Sequence, residues 1–152
     1  MNAHEIDYHI HGEEMQFVEI ELDPQEAVIA EPGSFMFMDD PITMQTIFGD
    51  GARETDSFFD KLLNAGKRVL TGEKLFMTAF THQGSGKAKV AFSSPYPGRI
   101  VPMDLSELGG RIICQKDAFL CAANGVSVGI EFQKKLGTGF FGGEGFIMQK
   151  LE

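Results

Sequence analysis

The chain has 152 residues, 43% hydrophobic and 23% charged, a balance that suits one globular domain with a buried core. Thirteen Lys+Arg against 22 Asp+Glu leave a net charge of -9, which repels phosphate backbones; with no basic patch and no RNA-binding aromatic motif, no nucleic-acid partner is expected. No run reaches the ~18 apolar residues that span a bilayer, and the opening "MNAHEIDYHIH" lacks the basic and apolar regions of a leader, so a cytoplasmic location is expected.

The dominant period is two. Ile6, Tyr8 and Ile10 alternate with Asp7, His9 and His11; Phe17-Val18, Ile20 and Leu22 follow; Ile42 and Met44 alternate with Thr43 and Gln45; Phe76 and Met77 sit in "EKLFMTAF". Turn signals separate these runs at "HGEE", "LDPQ", "EPGS", "MDDP", "QGSGK", "PYPG", "ELGG", "AANG" and "GTGFFGG". Their spacing is near the ~8 to 12 residues of sandwiches and barrels, and the chain reads as a single all-β domain over 1–152. One segment departs from the pattern. "TDSFFDKLLNAGKRVL" offers Thr55 or Asp56 as an N-cap, Phe58, Phe59, Leu62 and Leu63 on one helical face, and Gly66 as a stop. It predicts a short helix near 55–65. Its apolar face packs on the sheets or, alternatively, meets a partner or a membrane surface peripherally.

Residues 27–48 align without a gap on residues 111–132 at an offset of 84: Val28 falls on Ile112, Phe35 on Phe119, Ile42 on Val126 and Met44 on Val128. "TGEKLFM" (71–77) then matches "GGEGFIM" (142–148) at an offset of 71. The expectation is one supersecondary unit present twice, about 15–92 and about 98–152, the first copy enlarged by the helix and the second cut short.

The repeat bears on a literal G-x-G-x-x-G at Gly137, Gly139 and Gly142. A dinucleotide site needs a helix after its glycines and an acidic residue about 20 positions on. Here "EGFIMQKL" reads as a strand, so the glycines serve as turn residues entering it and no cofactor is expected. Asp7, His9 and His11 share one face of the first strand, a two-His, one-carboxylate set of the kind that holds a metal in facial-triad or cupin-like sites. The alternative is a half-exposed strand turning its polar side chains to water. Glu73 and Glu144 occupy matching repeat positions and are expected to accept N–H groups of their own turns. Cys114 and Cys121 lie seven apart in apolar stretches, where cysteine acts as a small buried hydrophobe. No nucleophile motif is present.

Three motifs, "TGEKLF", "PYPGRI" and "FGGEGF", together with "ELDPQEAVIAEPGSFMFMDDPITMQT" and the stretch from "GGRIICQ" to Glu152, carry a resemblance over nearly the whole chain. It resembles the family whose eukaryotic members are called altered-inheritance-of-mitochondria proteins. The resemblance implies a compact double-stranded β-helix or β-sandwich, like the tryptophan RNA-binding attenuation protein, in multimeric scaffold or accessory proteins. It carries no catalytic residues. The stretch "DGARETDSFFDKLLNAG" replaces the family's Gly-rich apolar linker, and the third repeat that usually follows "FGGEGF" is missing.

Together these readings lead to a non-enzymatic, self-associating scaffold or interaction protein, with a small cupin-like metalloprotein using Asp7, His9 and His11 as the rival. Fourteen Phe and eight Met supply apolar surface for a homo-oligomer. Interface candidates are Phe58, Phe59, Leu62 and Leu63 on the helix, and Phe146, Ile147 and Met148 on the last strand. That last strand is expected to present an open edge, because "AKVAF" is the hairpin partner expected for "EKLFMTAF" and nothing equivalent follows Glu152.

Overall fold

The computed structural model describes residues 4–48, 76–115, 117–133 and 146–152, and these form an all-β fold. The strands are β1 (Asp7–His11), β2 (Phe17–Leu22), β3 (Ala27–Ala30), β4 (Phe35–Met38), β5 (Ile42–Phe48), β6 (Phe76–His82), β7 (Ala88–Ser93), β8 (Ile112–Gln115), β9 (Cys121–Ala123), β10 (Val128–Gln133) and β11 (Phe146–Leu151). They make three sheets of antiparallel neighbours, ordered β1-β2-β7-β4, β5-β6-β3-β9 and β10-β11-β8.

Side-chain alternation decides how the sheets stack. In β2 the even residues Val18, Ile20 and Leu22 are buried while Phe17, Glu19 and Glu21 stay half-exposed. In β7, Ala88, Val90 and Phe92 turn to the same side. These meet Val28, Ala30, Ile42 and Phe80 of the second sheet in one apolar cluster, where Phe80 packs edge-on against Phe92 with ring centroids 5.1 Å apart. The opposite face of the second sheet, with Ile29, Met77 and Ala79, joins Phe119, Val128 and Leu151 in a second cluster. The second sheet is therefore the middle layer. That explains why β3, Ala-Val-Ile-Ala, is buried along its whole length: a strand covered on both faces needs a continuous apolar run. Each side chain of Leu or Phe size so buried contributes about 1.5–3 kcal/mol relative to exposure.

The second and third sheets share a pairing plan. Val28 and Met44 flank Phe80 in the second sheet, and Ile112 and Val128 flank Leu151 in the third. Val28, Met44 and Phe80 stand to Ile112, Val128 and Leu151 at sequence offsets of 84, 84 and 71.

Two pairings differ from the sequence expectation. The strand of "EKLFMTAF" does not form a hairpin with "AKVAF": β6 pairs with β5 and β3, and β7 pairs with β2 and β4 in another sheet. Likewise β11 is no open edge. It is the central strand of the third sheet, with β10 on one side and β8 on the other. The expected helix near 55–65, the glycines from Gly137 to Gly145, Glu73 and Glu144 lie outside the described residues.

Candidate functional site

The outer face of the first sheet gathers the polar candidates. Strand register sets Asp7 opposite Glu21, His9 opposite Glu19 and His11 opposite Phe17. Asp7, His9 and His11 thus share a face, as period two requires. What they do there differs among the three. The Asp7 carboxylate accepts from Lys87 Nζ at 3.4 Å, and Lys87 also donates to Glu21. Lys89 Nζ donates to Glu19 at 2.7 Å. The hydrogen bonds and charge of these carboxylates raise both ammonium pKa values, Glu21 foremost for Lys87 and Glu19 for Lys89. A shallow depression lies among Asp7, Tyr8, His9, Glu19, Glu21 and Lys89.

The two histidines instead join an aromatic stripe. The His9 and His11 rings are 4.5 Å apart, His11 stacks on Phe17 at 4.7 Å, and Phe17 meets Phe37 edge-on at 6.4 Å. His11 Nε2 is buried without a hydrogen-bond partner. Among the described residues no three His, Cys, Asp or Glu side chains converge in a way that could hold a metal ion. Cation binding would have to displace Lys87 from Asp7 and separate the stacked rings.

Beside this stripe runs β4, which ends the sheet. Phe35, Met36 and Phe37 are 41%, 47% and 44% exposed, an uncommon load of apolar surface for three successive residues of an edge strand. A β-bulge between Phe35 and Phe37 turns Met36 out of the ladder with β7. Sequence reading missed this surface because "FMFM" has no alternation and passes for core. Of the interface candidates named from sequence, Phe58, Phe59, Leu62 and Leu63 lie outside the described residues. Phe146, Ile147 and Met148 sit in β11 with their backbones paired on β10, and Met148 is half-buried.

Sequence reading left His82 without a role of its own, and the structure buries it. His82 has no solvent exposure; its Nδ1 accepts the Gly84 N–H at 3.2 Å and its Nε2 lies 2.7 Å from the Gly86 carbonyl, which fixes the neutral Nε2–H tautomer. Its backbone closes the turn of Asp23–Glu26, donating to the Glu26 carbonyl and accepting from Gln25. Gly84 is required there, since a Cβ would stand 2.6 Å from Pro41 Cβ and 3.1 Å from the His82 ring. Gly86 sits at φ +78°, where side chains are strained. The readable signal is H-x-G-x-G: glycines two and four residues on leave backbone groups open to the ring. This clamp steers the chain from β6 in the middle sheet to β7 in the first.

Both cysteines are free thiols. Burial pushes the Cys121 thiol up to about 12, and burial followed by the charge of Glu31 raises Cys114. Neither is primed as a nucleophile. No described helix is long and apolar enough to cross a membrane.

The chain is similar to known proteins over most of its length. An uncharacterized protein of Streptococcus pyogenes serotype M6 is 33% identical over 140 residues, covering 88% of this chain and 52% of its own length. The crystal structure of a Streptococcus pyogenes protein superposes with a TM-score of 0.58 at 19% identity, covering 96% of this chain and 60% of the other, a likeness of fold. The chain thus spans about half the length of the curated relative it matches. The family described as mitochondrial biogenesis AIM24 matches residues 8–152, from β1 through the end of β11. This chain belongs to that family.

Proposed function

We propose that the protein is a non-enzymatic, self-associating scaffold or interaction module of the cytoplasm, in which two of the three sheets descend from one duplicated unit. The observation that carries the reading is apolar side chains standing in solvent among the described residues: Phe35, Met36 and Phe37 on β4, and Tyr96, Val101 and Met103 beyond β7. Surfaces of this kind serve contact with other protein. At a net charge of -9, nucleic acid is a poor partner.

Light scattering across a dilution series tests the proposal. A particle mass that rises above the 16.7 kDa chain with concentration supports it. A constant chain mass from micromolar to millimolar protein overturns it. The rival reading, a metal-binding protein, draws on the closeness of the His9 and His11 rings and on the unpartnered His11 Nε2. Elemental analysis of protein purified without chelator or affinity tag decides it: stoichiometric iron, nickel or zinc that disappears in a His9→Ala/His11→Ala variant would replace the scaffold reading.

A further inference from the structure

The three sheets follow one construction rule, and the rule is met twice. Each begins with two chain neighbours, β1-β2, β5-β6 or β10-β11, and the second of these pairs with a third strand, β7, β3 or β8. In the first two sheets that third strand carries a fourth on its far side: β4 on β7 and β9 on β3. Each fourth strand is the segment that follows the third strand of another sheet, since β4 follows β3 and β9 follows β8. Among the described residues the third sheet stops at β8, leaving that edge without a ladder. The segment the rule has not yet used is the one that follows β7.

That segment is present and, among the described residues, has no ladder partner. Residues 99–103 belong to no strand, with Val101 66% and Met103 54% exposed. Its own chain holds its start away in the first sheet: Gly98 bridges to Met15, the Ile100 N–H donates to Gln16 Oε1 at 2.7 Å, and Ile100 packs on the cluster between the first and second sheets. The third sheet lies across the middle layer from there. Residues 93–103 and 109–116 contain no Asp or Glu and so bring none of the acidic charge by which whole chains repel at -9, while each carries cations of its own, Arg99 on one and Arg111 and Lys116 on the other.

We infer that residues 99–103 of one copy add as the fourth strand to the open edge of β8 in a second copy. This rests on the self-association proposed above and continues between chains the contact already made within the chain by β9 on β3. Backbone N–H and C=O groups of Ile112–Gln115 supply the bonds, as in strand addition generally. Pro102 is compatible with an outer strand, which needs its N–H groups only toward one neighbour. Donor and acceptor are different surfaces, so the contact is head-to-tail and repeats until a ring closes or a filament grows.

The test uses two single-cysteine chains, Val101→Cys and Gln115→Cys, both positions exposed, in a background with Cys114 and Cys121 replaced by alanine. Under mild oxidation the mixture should give a covalent dimer that neither chain gives alone. In the otherwise native chain, Val101→Glu should raise the dissociation constant about tenfold or more while leaving the melting temperature nearly unchanged, because the residue is not core. If wild type self-associates, yet the mixture does not cross-link and Val101→Glu keeps the full particle mass, this inference fails and the scaffold reading stands. If a chain carrying both cysteines closes only on itself, the segment pairs with its own β8 and the second copy is excluded. A wild type that stays at chain mass at every concentration overturns both.

Discussion

The middle and first sheets are built from similar strands put to different use. In the middle sheet both faces are covered, and β3 has no residue left for solvent. The first sheet buries Val18, Ile20 and Leu22 but gives its other face to Glu19, Glu21, Lys87 and Lys89. Burial in the middle layer is irreplaceable packing. The outer ladder sits in high dielectric, where ion pairs contribute little. The same backbone hydrogen-bonding pattern therefore supports one region that sets stability and another that is free to vary.

Substitutions can break that contrast, beginning with the largest effect. Phe80→Ala removes a fully buried ring that stacks on Phe35 at 5.4 Å and meets Phe92, so chemical denaturation should show a loss of about 3–5 kcal/mol. A loss below about 1 kcal/mol would mean that the two-cluster core is misdrawn.

Next comes the clamp. His82→Ala strands the Gly84 N–H and the Gly86 carbonyl, for a cost of about 1–3 kcal/mol per group if they stay buried. Since the clamp steers β6 into β7, His82→Gln should recover part of the loss by keeping a donor and an acceptor. Equal melts for the alanine and glutamine variants would show that the ring only fills space.

A further effect is visible only at high pH. The Cys121 thiol is held near 12 in the folded chain against an ordinary value of 9.0. The folded state keeps its proton where the unfolded state releases it, so this contribution is complete below the unfolded value and is lost as pH rises toward the folded one. Between these limits stability should fall by about 1.4 kcal/mol per pH unit from this group. The raised lysines act in the same direction from their ordinary value of 10.5 upward, inside the same window, so a Cys121→Val comparison is needed to isolate the thiol. Parallel pH–stability curves for the two proteins would contradict its burial.

The smallest effect belongs to the outer ladder. Lys89→Gln removes the partner of Glu19 on an exposed face, and no shift in melting temperature should be resolved. A drop comparable to that of His82→Ala would erase the distinction between the two sheets.

Much of the fold was legible in the chain. Alternation located β1, β2, β5 and β6. Partner choice was harder to read. Chain neighbours pair most often, so "AKVAF" seemed the natural partner of β6. The His82 clamp instead sends β7 to another sheet, and β3 takes its place. The same habit made β11 look like an edge, although "RIICQ" thirty-odd positions earlier supplies its second neighbour. At the candidate site the shared face of Asp7, His9 and His11 followed from period two. Their engagement with Lys87 and Phe17 depended on cross-strand register, which no local pattern encodes.

Amide hydrogen exchange at two protein concentrations tests the central claim, self-association through a completed third sheet. Alternate amides of Ile112–Gln115 face away from β11, and in dilute protein they should exchange as fast as the Val101 and Met103 amides. In concentrated protein both stretches should become protected together, with β3 slow throughout. Protection that stays the same at both concentrations, while light scattering reports a larger particle, would contradict the account by placing the contact elsewhere.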